Sequence, residues 1–352
     1  MSLNGALMRI IDESTIAMKL LVLVPVLLLV PLTTLAQERL PIIDMHLHAL
    51  TADANGPPPL ALCVPLLANL PPLDPIRPWG EVFIESLKDP PCPDPIWSPM
   101  TDEGVMQETI EVLQRRNIIG VLSGPPERLR LWSEAAPARF ILSVQFRIGR
   151  DEISPDSMRS LLETEEFAVL GEISNQYAGI APNDERMEPY WALVEELDVP
   201  AAIHIGEGPP GAPYLYPEYR VRLGNPLLLE DVLIRYPKLR VSVMHYGSPF
   251  VEEMIALLQS YPHVYVDISP NHWRYPRAYF YGQLKKLIDA GFGQRVMYGS
   301  DQMNWPGVIE RGIAIVEQAP FLNEDQKRDI FYNNAARFLR LSEEEIAKHH
   351  GK

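Results

Sequence analysis

Two histidines separated by one residue, His46 and His48, end an apolar run that begins at Pro41. Alternate residues of a β-strand point to the same side, so this spacing predicts that both imidazoles project together from the carboxyl end of a strand. Neutral imidazole is the commonest protein ligand for zinc-like divalent ions. The pair therefore indicates a metal site, although two histidines at this spacing also occur on plain protein surfaces.

Four later apolar runs also end in a side chain that can bind a metal ion. The end residues are Glu172, His204, His245 and Asp301. Segments with helical periodicity, at 188–197, 226–236 and 251–259, lie between the later runs. Strands that alternate with helices predict βαβ units and a parallel sheet. A single buried histidine is usually held by hydrogen bonds in a core, but that interpretation fits poorly when four histidines and two carboxylates converge.

The predicted fold class is α/β, a (β/α)8 TIM barrel. The eight predicted strands are approximately 41–48, 117–123, 139–146, 167–173, 199–205, 240–246, 263–268 and 295–300. Eight β/α units in a body of about 300 residues fit this barrel, whose active sites lie at the carboxyl ends of the strands. The predicted ligands all lie at strand ends, so we expect them to meet on that face.

The motifs at these strand ends resemble the amidohydrolase superfamily. The closest branch is the amidohydrolase-related one that includes aminocarboxymuconate-semialdehyde decarboxylase, and the resemblance covers about residues 40–340. The matching pieces are Asp44-Met45-His46-Leu47-His48, His204, the segment from Arg235 to His245, and Tyr298-Gly299-Ser300-Asp301. As a set they are specific for the superfamily and much less specific for the reaction.

The resemblance implies a divalent metal, with zinc expected, bound by His46, His48, His204 and Asp301. It implies that His245 is either a general acid/base or a ligand of a second metal. Asp301 or His245 would take the proton of a metal-activated water. Asp44 either orients a ligand histidine or caps the following turn.

The run Gly171-Glu172-Ile173 bears on the number of metal ions. It resembles the metal-dependent deoxyribonuclease-like hydrolases, in which a carboxylate on the fourth strand bridges two metals. The mononuclear decarboxylase branch does not depend on such a bridge. Pairing with an arginine and contact with substrate are the other roles open to Glu172, so one or two ions remain possible from the sequence.

Three functions fit these residues. The favoured one is a metal-dependent hydrolase that cleaves an amide, ester or lactone bond of a small molecule. The alternative is a metal-dependent non-oxidative decarboxylase of a small carboxylic acid, which an arginine holding the departing carboxylate would favour. A non-catalytic binding protein on the same scaffold is the third, and the complete ligand set argues against it.

Four residues that follow strand ends are candidates for substrate binding. They are Arg147, Tyr214, Arg220 and Trp305. Arginine holds carboxylates through two parallel hydrogen bonds, and tyrosine or tryptophan can contact an aromatic ring. For each of them a packing or surface role is the competing interpretation.

A proline-rich segment, 53–100, follows the first predicted strand. Its prolines are expected to exclude regular helix and central strand. Because it leaves from the catalytic rim, we expect it to cover or shape the pocket, the alternative being a packed surface loop. Cys63 and Cys92 both fall in it, and they either pair in an oxidising compartment or remain free thiols.

The amino-terminal sequence predicts export to the periplasm or the medium. Residues 18–36 resemble a secretory signal, with one lysine before an apolar stretch and a small-residue cleavage site at Ala36. Met18 would then be the natural start, and residues before it are extra. A transmembrane anchor is the rival interpretation, which Pro25 and Pro31 disfavour. The predicted organisation is a signal peptide over 1–36, the barrel over 37–345 and a polar tail over 346–352.

The formal net charge of −15 limits the classes of partner. Nucleic acids and anionic membranes would be repelled by a chain of this charge. We therefore expect a small-molecule substrate, no nucleic acid and no stable membrane anchor. The family resemblance also makes a homodimer an expectation.

Overall fold

Eight parallel strands form one sheet in chain order. The computed structural model describes residues 39–151 and 153–352, so the predicted signal peptide at 1–36 lies outside the described residues. The strands are β1 (Ile42–His48), β2 (Ile118–Gly124), β3 (Phe140–Phe146), β4 (Phe167–Ile173), β5 (Ala201–His204), β6 (Val241–Met244), β7 (Val264–Asp267) and β8 (Val296–Met297). The predicted TIM barrel is confirmed.

Helices lie between the strands and after the last of them. They are α1 (Trp79–Lys88), α2 (Asp102–Arg116), α3 (Pro126–Ala135), α4 (Pro155–Leu162), α5 (Glu188–Glu196), α6 (Ala212–Leu215), α7 (Glu230–Arg235), α8 (Val251–Ser260), α9 (Asn271–Arg274), α10 (Arg277–Asp289), α11 (Gly307–Glu317), α12 (Glu324–Arg328), α13 (Asn334–Leu339) and α14 (Glu343–His349). Short 3-10 turns and one π-helical turn, Asp329–Asn333, complete the connections. Within the described ranges, no helix is both long enough and apolar enough to cross a membrane.

The barrel closes between β1 and the residues that follow β8. The Met45 amide donates to the Tyr298 carbonyl at 2.9 Å, and the Asp301 amide donates to the His46 carbonyl at 2.8 Å. Regular strand structure ends at Met297, earlier than the predicted end at 300, because the Tyr298 amide donates to the Ile330 carbonyl at 2.8 Å rather than to a neighbouring strand. The seam between the first and last strands therefore carries ligand residues on both sides.

The interior of the barrel is packed with apolar side chains. Ile43 and Met45 of β1 point inward and contact inward residues of other strands and of α13. The opposite faces of the strands pack against the surrounding helices in a larger core. Parallel strands buried on both faces read as continuous apolar runs, which is why they could be predicted. Because the interior is filled, ligands can bind only at the rim of the barrel.

The segment 53–100, between β1 and α2, is more regular than its prolines suggest. It contains a pair of antiparallel two-residue strands, Ala61–Leu62 and Ile96–Trp97, and the ten-residue helix α1. The prediction that prolines exclude regular helix is wrong at Trp79–Lys88, because that stretch lies between Pro78 and Pro90 and contains no proline itself. Cys63 and Cys92 form a disulfide.

The carboxyl end also differs from its prediction. Helix α14 continues through residues 346–349, which the sequence analysis assigns to a polar tail. The Tyr332 hydroxyl lies 3.0 Å from His349 Nδ1, so this end of α14 packs on the π-helical turn. Only the last residues of the predicted tail follow the helix.

Candidate metal centre and substrate cavity

Six buried side chains meet at the carboxyl ends of the barrel strands. They are His46 and His48 of β1, Glu172 of β4, His204 of β5, and His245 and Asp301, which follow β6 and β8. These are the residues that the sequence analysis selects as metal ligands. The barrel brings them together because side chains at the ends of adjacent parallel strands face the same rim.

The carboxylate of Glu172 lies between two pairs of histidines. Its Oε2 is 3.6 Å from His48 Nε2 and 4.0 Å from His46 Nε2. Its Oε1 is 2.9 Å from His204 Nδ1 and 3.9 Å from His245 Nε2. The two nitrogens are 3.0 Å apart in the first pair and 2.9 Å apart in the second. Ligands about 2.1 Å from a common ion lie roughly 3.0–3.4 Å from each other, so each pair has nearly the spacing of ligands on one cation.

Asp301 completes the first group. Its Oδ1 is 3.1 Å from His48 Nε2 and 3.8 Å from His46 Nε2. This buried oxygen has no hydrogen-bond partner among the described residues. A buried acceptor without a donor is costly unless a cation satisfies it. Together with the donor types, this fits a divalent metal, and imidazole–carboxylate sets suit zinc, manganese, iron and cobalt alike.

The charges of the cluster shift the pKa values of its members. Burial alone would lower the pKa of His46, but the neighbouring carboxylates Asp301, Asp267 and Glu172 raise it to about 10. Burial alone would raise the pKa of Glu172, but hydrogen bonding to His204 and its neighbours holds it well below its ordinary value. The carboxylates stay ionised, so the cluster favours positive charge at its centre, which a divalent cation supplies.

Two residues at the end of β7 orient His46. The Ser269 hydroxyl lies 2.8 Å from His46 Nδ1 and donates to Asp267 Oδ1 at 2.6 Å. Asp267 Oδ2 is 3.4 Å from the same imidazole nitrogen. With Nδ1 held in this way, His46 directs Nε2 toward Glu172, which is the usual support for a metal-ligating histidine. Neither residue is predicted from the sequence, where the available signal is the strand-end run Val266-Asp267-Ile268-Ser269.

The backbone of the β1 ligands is also fixed by side chains. Gln302 accepts from the His48 amide at 2.9 Å and donates to the His48 carbonyl at 2.7 Å. Asp44 Oδ1 accepts from the His46 amide at 3.1 Å and from the Ser300 amide at 2.8 Å. Asp44 therefore positions His46 through the backbone and links it to the barrel seam at Ser300.

His245 and Asp301 both adopt left-handed backbone conformations, with φ 61° and φ 50°. Such a conformation costs a non-glycine residue about 1–3 kcal/mol and is found where the surrounding structure enforces it, often at functional sites. Asp267 Oδ1 accepts from the His245 amide at 3.2 Å, and the Asp301 amide donates to the His46 carbonyl. These bonds hold both turns and direct both side chains into the cluster.

Ser123 holds the peptide that presents Glu172. Its Oγ accepts from the Glu172 amide at 2.6 Å and donates to the Gly171 carbonyl at 2.8 Å, while Ser143 Oγ also donates to that carbonyl at 2.7 Å. We expect Ser123→Ala to weaken metal binding about 10- to 100-fold, as loss of an outer partner of a ligand usually does. Competition with a chromogenic chelator measures this. Ser143→Ala is the matched control, and less than a tenfold loss is expected because Gly171 keeps one donor. Equal affinities for Ser123→Ala and wild type would contradict the positioning role.

A cavity of ≈ 410 Å³ opens over the ligand cluster. Arg147, Tyr177 and Tyr216 line one side of it. The Arg147 guanidinium is 5.9 Å from the ring centre of Tyr177 and 5.7 Å from that of Tyr216, and the Tyr177 ring is 4.9 Å from the ring of His204. This wall offers positive charge and aromatic faces next to the second histidine pair.

Two of the four predicted substrate-binding residues line this cavity, and two do not. Arg147 and Trp305 are lining residues, and the Trp305 indole donates to the Leu60 carbonyl at 2.9 Å. Tyr214 is 71% exposed outside the cavity. Arg220 donates to the carbonyls of its own loop. Tyr216 of the same loop lines the cavity in their place.

The chain matches the family model described as Amidohydrolase over residues 43–341, and it belongs to that family. The predicted membership is therefore confirmed. No curated protein matches the chain by sequence.

Solved structures similar to this chain share its barrel at low sequence identity. They include an uncharacterized TIM-barrel protein from Bordetella bronchiseptica, with 18% identity, 88% of this chain and 100% of that chain covered, and a TM-score of 0.60. A probable 2-pyrone-4,6-dicarboxylic acid hydrolase from Acinetobacter baumannii has 15% identity, coverage of 85% and 99%, and a TM-score of 0.54. A 4-oxalomesaconate hydratase from Rhodopseudomonas palustris has 17% identity, coverage of 88% and 98%, and a TM-score of 0.51. The likeness shows the fold, and the named reactions differ, so the reaction must be argued from the site.

Proposed function

We propose that the protein is a metal-dependent hydrolase that cleaves an amide, ester or lactone bond of a small molecule. The observation that carries the proposal is the Glu172 carboxylate, whose two oxygens face two separate histidine pairs. One such carboxylate can serve two cations at once. Two-metal sites occur in hydrolases such as aminopeptidases and phosphatases, so a site able to hold two cations favours hydrolysis.

Each residue of the cluster has a proposed role. His46, His48 and Asp301 would hold one ion, His204 and His245 the other, and Glu172 both, with zinc as the expected metal. When bound, divalent cations of this kind acidify water and polarise a carbonyl oxygen. The Asp301 carboxylate, which is buried among the histidines, can accept a proton from the attacking water through the oxygen that does not face the first ion. Its Oδ1 lies 3.1 Å from His48 Nε2 and would face that ion.

Arg147 favours a second candidate reaction, non-oxidative decarboxylation of a small carboxylic acid. Its guanidinium lines the same cavity as the ligands, where it can hold a carboxylate. In a decarboxylase that contact would grip the group that departs as carbon dioxide. In a hydrolase it would anchor an acidic substrate away from the scissile bond.

Assays of the metal-loaded protein test the proposal. A panel of small esters, amides and lactones is assayed by the release of acid, and at least one compound is expected to be hydrolysed. A panel of aromatic and unsaturated carboxylic acids is expected to release no carbon dioxide. Removal of metal with a chelator should abolish turnover, and added zinc, manganese or cobalt should restore it. His204→Ala is the negative control. Carbon dioxide release without hydrolysis would replace the first function by the second, and turnover that survives complete removal of metal would contradict both.

A further inference from the structure

The Cys63–Cys92 disulfide links the two ends of a segment that forms an apolar wall of the cavity. We call residues 63–92 the lid. Within the lid, Gly80, Phe83, Ile84 and Leu87 of α1 line the cavity. Their spacing of three, four and seven residues from the first places them on one face of the helix.

The inner face of the lid is incompletely covered by protein. Phe83 and Ile84 are only half-buried, whereas Leu87 is 3% exposed and anchors the helix in a small apolar cluster. That cluster includes Trp305 and is separate from the two clusters of the barrel. Apolar surface left open to a cavity is stabilised when a ligand covers it, roughly in proportion to the area removed from water.

Besides this cluster, two further contacts hold the lid, and neither involves a metal ligand. At its base, the disulfide lies next to the strand pair that joins Ala61–Leu62 to Ile96–Trp97. At its far side, the Trp79 indole donates to the Pro210 carbonyl at 2.7 Å, and a Cβ placed on Gly211 would lie 2.0 Å from Trp79 Nε1. The close packing at Gly211 and the disulfide fix the distance between the lid and the ligand cluster.

We infer that the inner face of the lid, centred on Phe83 and Ile84, is a subsite for an apolar group of the substrate. This deepens the proposed function and rests on it for the reaction, because it names the substrate class: a compound whose reactive bond lies at the metal cluster and carries an alkyl chain or aromatic ring of several carbons. Arg147 also lines the cavity and can hold a charged group of the substrate, whereas Phe83 and Ile84 offer only apolar surface.

Binding of straight-chain carboxylates to the purified, metal-loaded protein tests the subsite. Affinities are measured by calorimetry from butanoate to octanoate. A chain that enters the apolar wall should bind roughly fourfold more tightly for each added methylene. These carboxylates have no bond to hydrolyse, and their common head group cancels from the comparison. A failed hydrolase assay would therefore leave this result standing, and the two failures can be told apart.

Three variants locate the effect. Ile84→Ser, on the inner face of α1, should reduce the gain per methylene to less than twofold, whereas Glu85→Gln, on the exposed face of the same helix, should leave it unchanged. The double variant C63A/C92A should also reduce the gain, because it releases the base of the lid. If that variant does not fold, Ile84→Ser still decides the question. Affinities independent of chain length in the wild type, or an unchanged gain in Ile84→Ser, would overturn the inference.

Discussion

Replacing Asp301 by asparagine is expected to lower kcat/KM about 10²- to 10⁴-fold, the range lost with a general base. The change preserves the volume of the side chain but removes the charge and the proton acceptor. Asp301 Oδ1 is the oxygen that approaches both histidines of β1 and lacks a donor among the described residues. The backbone bond from the Asp301 amide to the His46 carbonyl does not involve the side chain, so the barrel seam should persist.

Steady-state kinetics and thermal unfolding of Asp301→Asn test this expectation together. The matched control is Asp94→Asn, which changes an exposed carboxylate paired with Arg311 and should leave turnover within twofold of wild type. A folded Asp301→Asn protein that keeps more than a tenth of the wild-type kcat/KM would show that Asp301 does not manage the proton.

Glu172→Gln is expected to lower the metal content from two ions per chain to one or none. The glutamine amide offers one oxygen in place of two, and it lacks the negative charge that would lie between two cations. Turnover should fall by at least the 10- to 100-fold that follows from disturbing even an outer partner of a ligand. Without the carboxylate, the histidine pairs at 3.0 Å and 2.9 Å would have no common anion between them.

Elemental analysis of the purified variant measures the loss directly. Glu207→Gln is the matched control, because Glu207 is also a carboxylate that lines the cavity but contacts Tyr275 and Arg274 rather than the histidines. Its metal content should equal that of the wild type. If Glu172→Gln retains two ions per chain, the Glu172 carboxylate does not bridge two metal ions.

Most of the barrel and the ligand cluster could be predicted because both depend on simple periodicity. The apolar runs of the buried parallel strands are continuous, so the ends of β1 and β4 fall where the sequence places them. Once the strands are known, barrel geometry requires that His46, Glu172 and His204 share one rim. The hydrogen bonds that hold the backbone of these ligands, such as those of Gln302 and Asp44, leave no periodic pattern in the sequence and could not be predicted from it.

The missed residues are ones whose role depends on long-range placement. Asp267 and Ser269 are ordinary polar residues at a strand end, and only the closed barrel brings them to His46, more than two hundred positions away. The inward turn of Tyr216, in place of Tyr214, depends on the path of one loop. The high proline content of the segment 53–100 conceals helix α1, because a proline-free stretch within the segment is long enough for a helix.

The number of metal ions per chain tests the central claim most directly. It can be measured by elemental mass spectrometry on protein purified without chelators from medium supplemented with zinc and manganese, with chain concentration determined by amino-acid analysis. About two ions per chain are expected if Glu172 serves both histidine pairs. About one ion per chain in the wild type, with no loss of that ion in Glu172→Gln, would contradict the two-metal centre and favour the decarboxylase.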